Sequence, residues 1–384
     1  MFNCFTSVLS VVAILTVRCR PRVQACDRRQ AQPERPHGGA SLAYRPSGRA
    51  ATCVVIRVLQ SCRPVPRTSR GTSFTLMRVG MKTTSASRSA STVGVVGLGI
   101  MGGAFAKHLS AAGFKVTGFD IAPAAIKALK KLGGVAAPSA ADVAASQKII
   151  ITSLPSYAAF EAALFGKGGI AAGAKRGTIV VEVSTLPLKL KEDARKRFAK
   201  IGVIMLDCPI SGTGAQAAAK DAIVYASGDA AAYKKCKAIF AGMARNTYYC
   251  GKFGVGSKLK YVANHLVTIH NLAAAEAFVM AEEAGVDAKL MYNVIKDGAG
   301  TSRMFEVRGP LMIKRNYLPA TMKVDVYQKD IAIIGDFAKT IKTPTPLFTL
   351  SKKYYDMAMA DGFDKQDTAV VHEVLRRVAR KTKR

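Results

Sequence analysis

Acidic side chains are scarce. The 384-residue chain holds 25 Asp and Glu against 57 Lys and Arg, a formal charge of +32. Such a surface attracts anions: nucleotides, carboxylates and, non-specifically, nucleic acid. Basic runs interleaved with aromatic residues are missing, which argues against a specific nucleic-acid partner. Cysteine is nearly absent from the body of the chain. Five of the eight (Cys4, Cys19, Cys26, Cys53, Cys62) fall in the first 90 residues, leaving Cys208, Cys236 and Cys250. No C-x-x-C, no Cys/His pair at zinc spacing and no H-E-x-x-H occurs among them and the five histidines (His37, His108, His265, His270, His372), so no metal site is expected. Long apolar runs are lacking too. Phe5–Val17 spans about 13 residues, short for a bilayer, and no basic residue precedes it as in a signal peptide. These absences point to a reduced, soluble, cytoplasmic protein without a membrane partner.

The first 90 residues hold 15 of the basic side chains and only two acids, Asp27 and Glu34, in Arg-, Pro- and Ser-rich sequence with no sustained period. They read as a disordered extension rather than a domain. Translation from a start upstream of Met77 or Met81 is the favoured explanation. The alternative is an organellar targeting segment, which would place the protein in the mitochondrial matrix.

From Ser91 the pattern changes, and its organising stretch is Val93–Leu109, VGVVGLGIMGGAFAKHL. A buried strand, the turn Gly97-Leu98-Gly99-Ile100-Met101-Gly102 and a helix make the dinucleotide fingerprint. Gly97 allows the tight turn, Gly99 lets backbone approach a pyrophosphate, and Gly102 lets the helix pack close to its strand. The helix N-terminus offers free N–H groups to phosphate. Strands at Val93–Val96, Lys115–Phe119, Lys148–Thr152, Thr178–Val183 and Val203–Asp207 alternate with helices at Gly102–Ala112, Pro123–Leu132, Ala140–Ser146, Tyr157–Leu164 and Leu188–Lys200. Ala222–Ala226 and Asn246–Cys250 read as the last strands. The fold class is α/β, a Rossmann-type doubly wound parallel sheet over residues 91–254. After Gly256 no strand pattern returns. Lys258–Ala284 reads as one long alanine-rich helix buried between domains or subunits, followed by helices near 288–296, 304–313, 324–340, 346–361 and 366–381. Residues 255–384 are therefore expected to form an all-α domain for substrate binding and oligomerisation.

Strand two ends at Asp120, 23 residues after Gly97. An acid there accepts hydrogen bonds from the adenosine ribose and repels a 2′-phosphate, and Ile121 supplies no arginine to hold one; NAD is expected over NADP. Three further stretches carry polar groups suited to chemistry. Asp207–Ala215 contains a Ser211-Gly212-Thr213-Gly214 turn able to cradle a carboxylate, although such turns are more often ordinary loops. Gly251–Asn264 places Lys260 and Asn264 four residues apart on one helix face, a costly pair on an apolar helix unless used. A desolvated lysine exchanges protons near neutral pH and suits the alcohol proton released as hydride leaves carbon. Lys252 and Lys258 read as surface charges, His265 and His270 as packed or interfacial side chains, and Tyr327–Ile331 as a helix-face ion pair.

Taken in order, these motifs resemble the β-hydroxyacid dehydrogenases, the group of 3-hydroxyisobutyrate dehydrogenase and tartronate semialdehyde reductase, more distantly 6-phosphogluconate dehydrogenase. The resemblance runs from about Val93 to Ala379 and rests on GLGIMG, Asp207–Gln216, Gly251–Asn264 and Lys329-Asp330-Ile331. It implies Lys260 as general acid/base and Asn264 as substrate-orienting. It implies Ser211, Gly212 and Thr213 as carboxylate-binding and Lys329 as reaching the site from the helical domain. Leu154, Pro155, Ser184 and Thr185 would lie against the cofactor, with Lys329, and the enzyme would be a homodimer or homotetramer. The sequence departs from the family pattern at Thr213, which replaces a glycine, and at Ala263, which replaces an asparagine. Gly300–Phe305 is similar to the segment of sugar-acid dehydrogenases, so a C4 acid such as threonate is one expected substrate. Chromatin-associated relatives that bind without catalysis, and imine reductases, share the architecture but typically lack the lysine.

Overall fold

The computed structural model describes residues 91–382, and the expectations for residues 1–90 lie outside that range. Strands β1 (Thr92–Val96), β2 (Lys115–Phe119), β3 (Val135–Ala136), β4 (Ile149–Thr152), β5 (Ile179–Glu182) and β6 (Ile204–Asp207) form one sheet in the order 3-2-1-4-5-6. Every pair in it is parallel. The connections are helices α1 (Ile100–Ala111), α2 (Pro123–Lys131), α3 (Ala140–Ser146), α4 (Tyr157–Phe165), α5 (Ile170–Gly173) and α6 (Leu188–Lys200). β1, β4 and β5 are runs of branched residues buried on both faces, as a helix-covered parallel sheet requires. Phe105 and Leu109 of α1 cover one face; Phe160, Leu164 and Phe198 cover the other. The strand order reverses between β1 and β4, which opens a crevice at their carboxyl ends where nucleotides bind in such sheets.

The last strands depart from expectation. They do not extend the doubly wound sheet. Two residues, Cys208 and Pro209, separate β6 from β7 (Ile210–Ser211), too few for the crossover that a parallel neighbour needs. The chain turns instead into a second sheet of β7, β8 (Ile223–Ala226) and β9 (Asn246–Tyr249). β7 runs antiparallel to β8 and β9 parallel to it. A single bridge, Asp207 to Ser227, joins the two sheets. Three helices escaped the sequence reading: the short α5, α7 (Gly214–Ala218) and α8 (Ala230–Met243), which makes the crossover from β8 to β9 and buries Phe240 and Met243 beside α1.

Helix α9 (Val255–Glu283) is 29 residues, about 43 Å long. It starts three residues earlier than expected, because Gly254 at φ +91° turns the chain into it. Around it pack α10 (Ala288–Ile295), α11 (Arg303–Lys314), α12 (Val324–Thr340), α13 (Pro346–Ala360) and α14 (Val371–Thr382). Their apolar core includes Phe278, Phe305, Phe348 and Tyr355. Polar pins fix the arrangement. Asn271 donates to the Tyr355 hydroxyl and the Thr368 carbonyl, both at 2.8 Å. Asp367, fully buried, pairs with Arg308 and accepts from Thr321, Met322 and Ala369.

Removing one partner of a buried pair strands the other charge. Arg308→Leu should destabilise the protein by about 3–5 kcal/mol, measured by urea denaturation; a loss below about 1 kcal/mol would show that the backbone donors alone satisfy Asp367.

Candidate active site

The fingerprint turn has the geometry its sequence requires. Gly97 sits at φ +87°, and a Cβ there would lie 2.2 Å from the Ser153 carbonyl oxygen. A Cβ at Gly102 would lie 1.9 Å from the carbonyl of Gly97. Gly99 differs: it caps α1 at φ −62°, and a Cβ would meet nothing within 4 Å. No side chain caps α1, so its first N–H groups face open space beside Gly99. That space, bounded by backbone donors, fits a pyrophosphate. Leu98 is buried beneath the turn, while Ile100 is exposed above it. Met101 is half-buried and packs on the core.

Asp120 ends β2 beside this turn. Its carboxylate accepts from the backbone N–H of Leu98 at 2.6 Å and of Ala122 at 2.8 Å. These bonds aim the carboxylate at the fingerprint and leave lone pairs for ribose hydroxyls. Across the crevice, the Leu154 N–H donates to the Ser184 hydroxyl at 2.8 Å, tying the Leu154-Pro155 turn after β4 to the Ser184-Thr185 turn after β5.

The helical half meets this edge at α9. Lys260 and Asn264 are both buried, 8% and 6% exposed. The Asn264 amide donates to Asp330 at 2.8 Å, and the other oxygen of Asp330 lies 3.1 Å from Lys329. Lys329 in turn donates to the Thr185 carbonyl at 2.6 Å. The stretch read as a plain ion pair on α12 therefore does contain that pair, and also bridges to the turn after β5. Lys260 makes no hydrogen bond or ion pair among the described residues. Burial pulls its pKa below the usual lysine value; Asp330 opposes the shift and Lys329 adds to it.

The turn after β7 lies beside both features. A Cβ at Gly214 would touch Ile100 of the fingerprint at 2.6 Å. Gly256, one turn before Lys260, packs against Pro209, two residues before Ser211. The Ser211 hydroxyl has no hydrogen bond among the described residues, and Gly212 takes φ +142°. Thr213 is engaged: its hydroxyl accepts from the Gln216 N–H, and its own N–H donates to Gln216 Oε1 at 2.9 Å. The residue that departs from the family glycine is thus the N-cap of α7, closed by a capping box. His265 stacks on Phe348, and His270 lines a separate cavity of about 310 Å³ with Thr301 and Phe305.

The sequence reading missed one group entirely. Glu182, Lys191 and Asp207 are fully buried together. Lys191 Nζ lies 2.9 Å from Asp207, 3.9 Å from Glu182 and 2.6 Å from the Ser184 carbonyl. Burial pushes the Glu182 carboxyl above its ordinary range, opposed by Lys191. A charged helix-face pattern hides such a lysine, since α6 carries five other basic residues.

The glycines separate by consequence. Gly99→Ala should melt within a few degrees of wild type yet weaken NADH binding by about 10-fold or more, because its Cβ enters only the phosphate space. Gly102→Ala should lower the melting temperature itself. Thermal melts and NADH fluorescence titration decide; unchanged NADH affinity in Gly99→Ala would remove the pyrophosphate from this turn.

Comparison with known proteins agrees with this geometry. Residues 92–251 match the family model of the NAD binding domain of 6-phosphogluconate dehydrogenase. Residues 254–375 match the model of the NAD-binding region of NADP-dependent 3-hydroxyisobutyrate dehydrogenase. An L-threonate dehydrogenase of Cupriavidus necator is 35% identical over 283 residues, 73% of this chain and 95% of that protein. A NAD-dependent L-serine dehydrogenase of Pseudomonas aeruginosa is 29% identical over 292 residues. It covers 73% of this chain and 97% of that protein. The crystal structure of a 3-hydroxyisobutyrate dehydrogenase from Salmonella typhimurium superposes with a TM-score of 0.68 at 31% identity, covering 74% of this chain and 99% of that one. From its glycine fingerprint to its last helices, the chain belongs to the β-hydroxyacid dehydrogenase family, and it is an NAD-binding oxidoreductase.

Proposed function

We propose that the protein oxidises a small hydroxy acid of three or four carbons, threonate-like or 3-hydroxyisobutyrate-like, with Lys260 as general base. The observation that carries this reading is a buried lysine with an unpaired ammonium group, one turn from an amide already oriented by Asp330. NAD would lie along the Gly97–Gly102 turn and Asp120, with Leu154, Pro155 and Thr185 on its far side, and would supply the hydride acceptor. Asp120 favours NAD over NADP. Ser211, Gly212 and Thr213 would take the substrate carboxylate; Gln216 holds the Thr213 N–H, which leaves the Ser211 and Thr213 O–H groups as the side-chain donors of that turn. Lys260 accepts the hydroxyl proton as the carbonyl forms. Asn264, fixed by donating to Asp330, keeps its carbonyl oxygen and second N–H for the substrate hydroxyl. Lys329 holds the helical half to the cofactor side through Thr185. We read residues 91–254 as the cofactor domain and residues 255–384 as the substrate and oligomerisation domain.

A homo-oligomer would form through α9. One face packs into the core, while Leu259, Val262 and Leu266 stay 43–55% exposed on successive turns. No helix of the described residues is long and apolar enough to cross a membrane, so a second copy is the partner that suits this face. Light scattering should give a dimer or tetramer; a monomer at micromolar concentration would remove this arrangement.

Catalysis is tested by screening C3 to C5 hydroxy acids with NAD and following NADH. Lys260→Ala should lower turnover about 10²–10⁴-fold while NADH affinity stays within about twofold of wild type. The base works only when unprotonated. Oxidative kcat/KM should therefore rise with pH through a midpoint below the ordinary lysine value of 10.5, and the reverse reduction should fall over the same interval. Cofactor binding without turnover on any acid would overturn the reading.

A further inference from the structure

The buried triad lies outside the reacting groups, yet its bonds run to both sides of them. Asp207 ends β6 and accepts four hydrogen bonds: from Lys191 Nζ at 2.9 Å, Ser257 N at 2.8 Å, Ser257 Oγ at 2.7 Å and Ser227 Oγ at 3.2 Å. Ser257 belongs to the first turn of α9, a helix whose own N-cap, Gly254, has no side chain to cap it. The Gly256 N–H finds the Ser227 hydroxyl at 3.0 Å. The strand end thus caps the helix that carries Lys260, one turn further on. The same Lys191 ammonium donates to the Ser184 carbonyl at 2.6 Å, and the next two carbonyls of that turn receive Lys329 and Tyr261, each at 2.6 Å.

We propose that Lys191 is a positioning residue: through Asp207 and Ser184 it holds the first turn of α9, and so Lys260, in register with the cofactor-facing turn after β5. The proposal rests on the reading of Lys260 as the base. The chemistry of the device is charge balance. Asp207 accepts four donors only as a carboxylate, and two fully buried carboxyls without a cation cannot both stay ionised. Remove the Lys191 ammonium and one carboxyl takes a proton. In either case Asp207 loses the donor that fixes Oδ1, the oxygen it shares with the Ser257 hydroxyl, and the cap on α9 loosens. Among the described residues the ammonium is also the one group with hydrogen bonds to both Asp207 of β6 and the 184–186 turn, so its loss lets them shift apart. A displacement of about 1 Å at the reacting groups costs up to about 10²-fold in rate.

Lys191→Met, of similar length and without charge, tests this in the full-length enzyme. The expected result is a folded protein in which amide exchange of residues 255–261 is faster by about 10-fold or more. Its turnover should fall about 10-fold or more, and the kinetic isotope effect on kcat with threonate deuterated at the reacting carbon should grow, because hydride transfer becomes limiting. Unchanged exchange at 255–261, or unchanged turnover and isotope effect, overturns the proposal. Should Lys191→Met fail to fold, Ser257→Ala decides. It removes one hydroxyl from Asp207 and leaves the charges intact: exchange of 255–261 accelerated, with turnover lowered about threefold to tenfold, supports the clamp, and wild-type values in both sink it. If wild type itself turns over no acid, the reading of Lys260 fails, and the exchange comparison alone then judges whether Lys191 holds the helix.

Discussion

Everything at the site depends on how the N-terminus of α9 is held. An α-helix begins with unsatisfied N–H groups and a partial positive charge, and α9 begins with a glycine that cannot cap it. Asp207, at the end of β6, supplies the missing acceptor. A single carboxylate therefore fixes the helix that carries Lys260 to the strand that leads directly, through Pro209, into the Ser211–Gly214 turn. The close fit of Gly256 against the carbonyls of Tyr225 and Asp207 admits no side chain there and leaves the helix little room to slide. Lys260 and Ser211 lie on opposite sides of this joint, so their relative placement is set by a few bonds rather than by the flexing of two domains.

The second joint is the turn after β5. Its carbonyls at 184, 185 and 186 accept from α6, α12 and α9 in succession. Its Ser184 hydroxyl accepts from the turn after β4, and its Ser184 N–H donates to Glu182 at 2.7 Å. Three residues thereby gather the cofactor crevice, the charged core and two helices of the C-terminal half. Such convergence fixes a turn that contains no glycine: its backbone is held by side chains from elsewhere.

Much of this was legible beforehand. The five long strands of the main sheet, α3, α6 and α12 followed from period and turn residues almost to the residue. So did the fingerprint, Asp120 and the Lys260–Asn264 pair. What escaped shares one cause. β7 and the change of sheet depend on a two-residue link, whose consequence appears only once β6 is placed. α8 (AAAYKKCKAIFAGM) has a weak apolar stripe, and its burial comes from α1 rather than from its own pattern. Lys191 looks like any lysine of a basic helix; only the tertiary fold brings Glu182 and Asp207 to it. Thr213 was legible as a departure, but not its capping of α7, because Gln216 reads equally as a surface residue.

Burial lowers the pKa of Lys260 and outweighs Asp330, which opposes the shift. A buried lysine beside a free carboxylate would form an ion pair and keep its proton. Here both oxygens of Asp330 are already used, one by the Asn264 amide and one by Lys329. Lys329 is held away from Lys260 by its bond to Thr185, yet stays near enough to disfavour a second positive charge. Desolvation then prevails, and the lysine can give up its proton. Asn264 gains orientation from the same arrangement, since donating to a carboxylate fixes which end of its amide faces the substrate. The helix-face pair on α12 thus does two things a bare Lys–Asp pair would not: it leaves Lys260 unpaired, and through Lys329 it bonds α12 to the turn after β5.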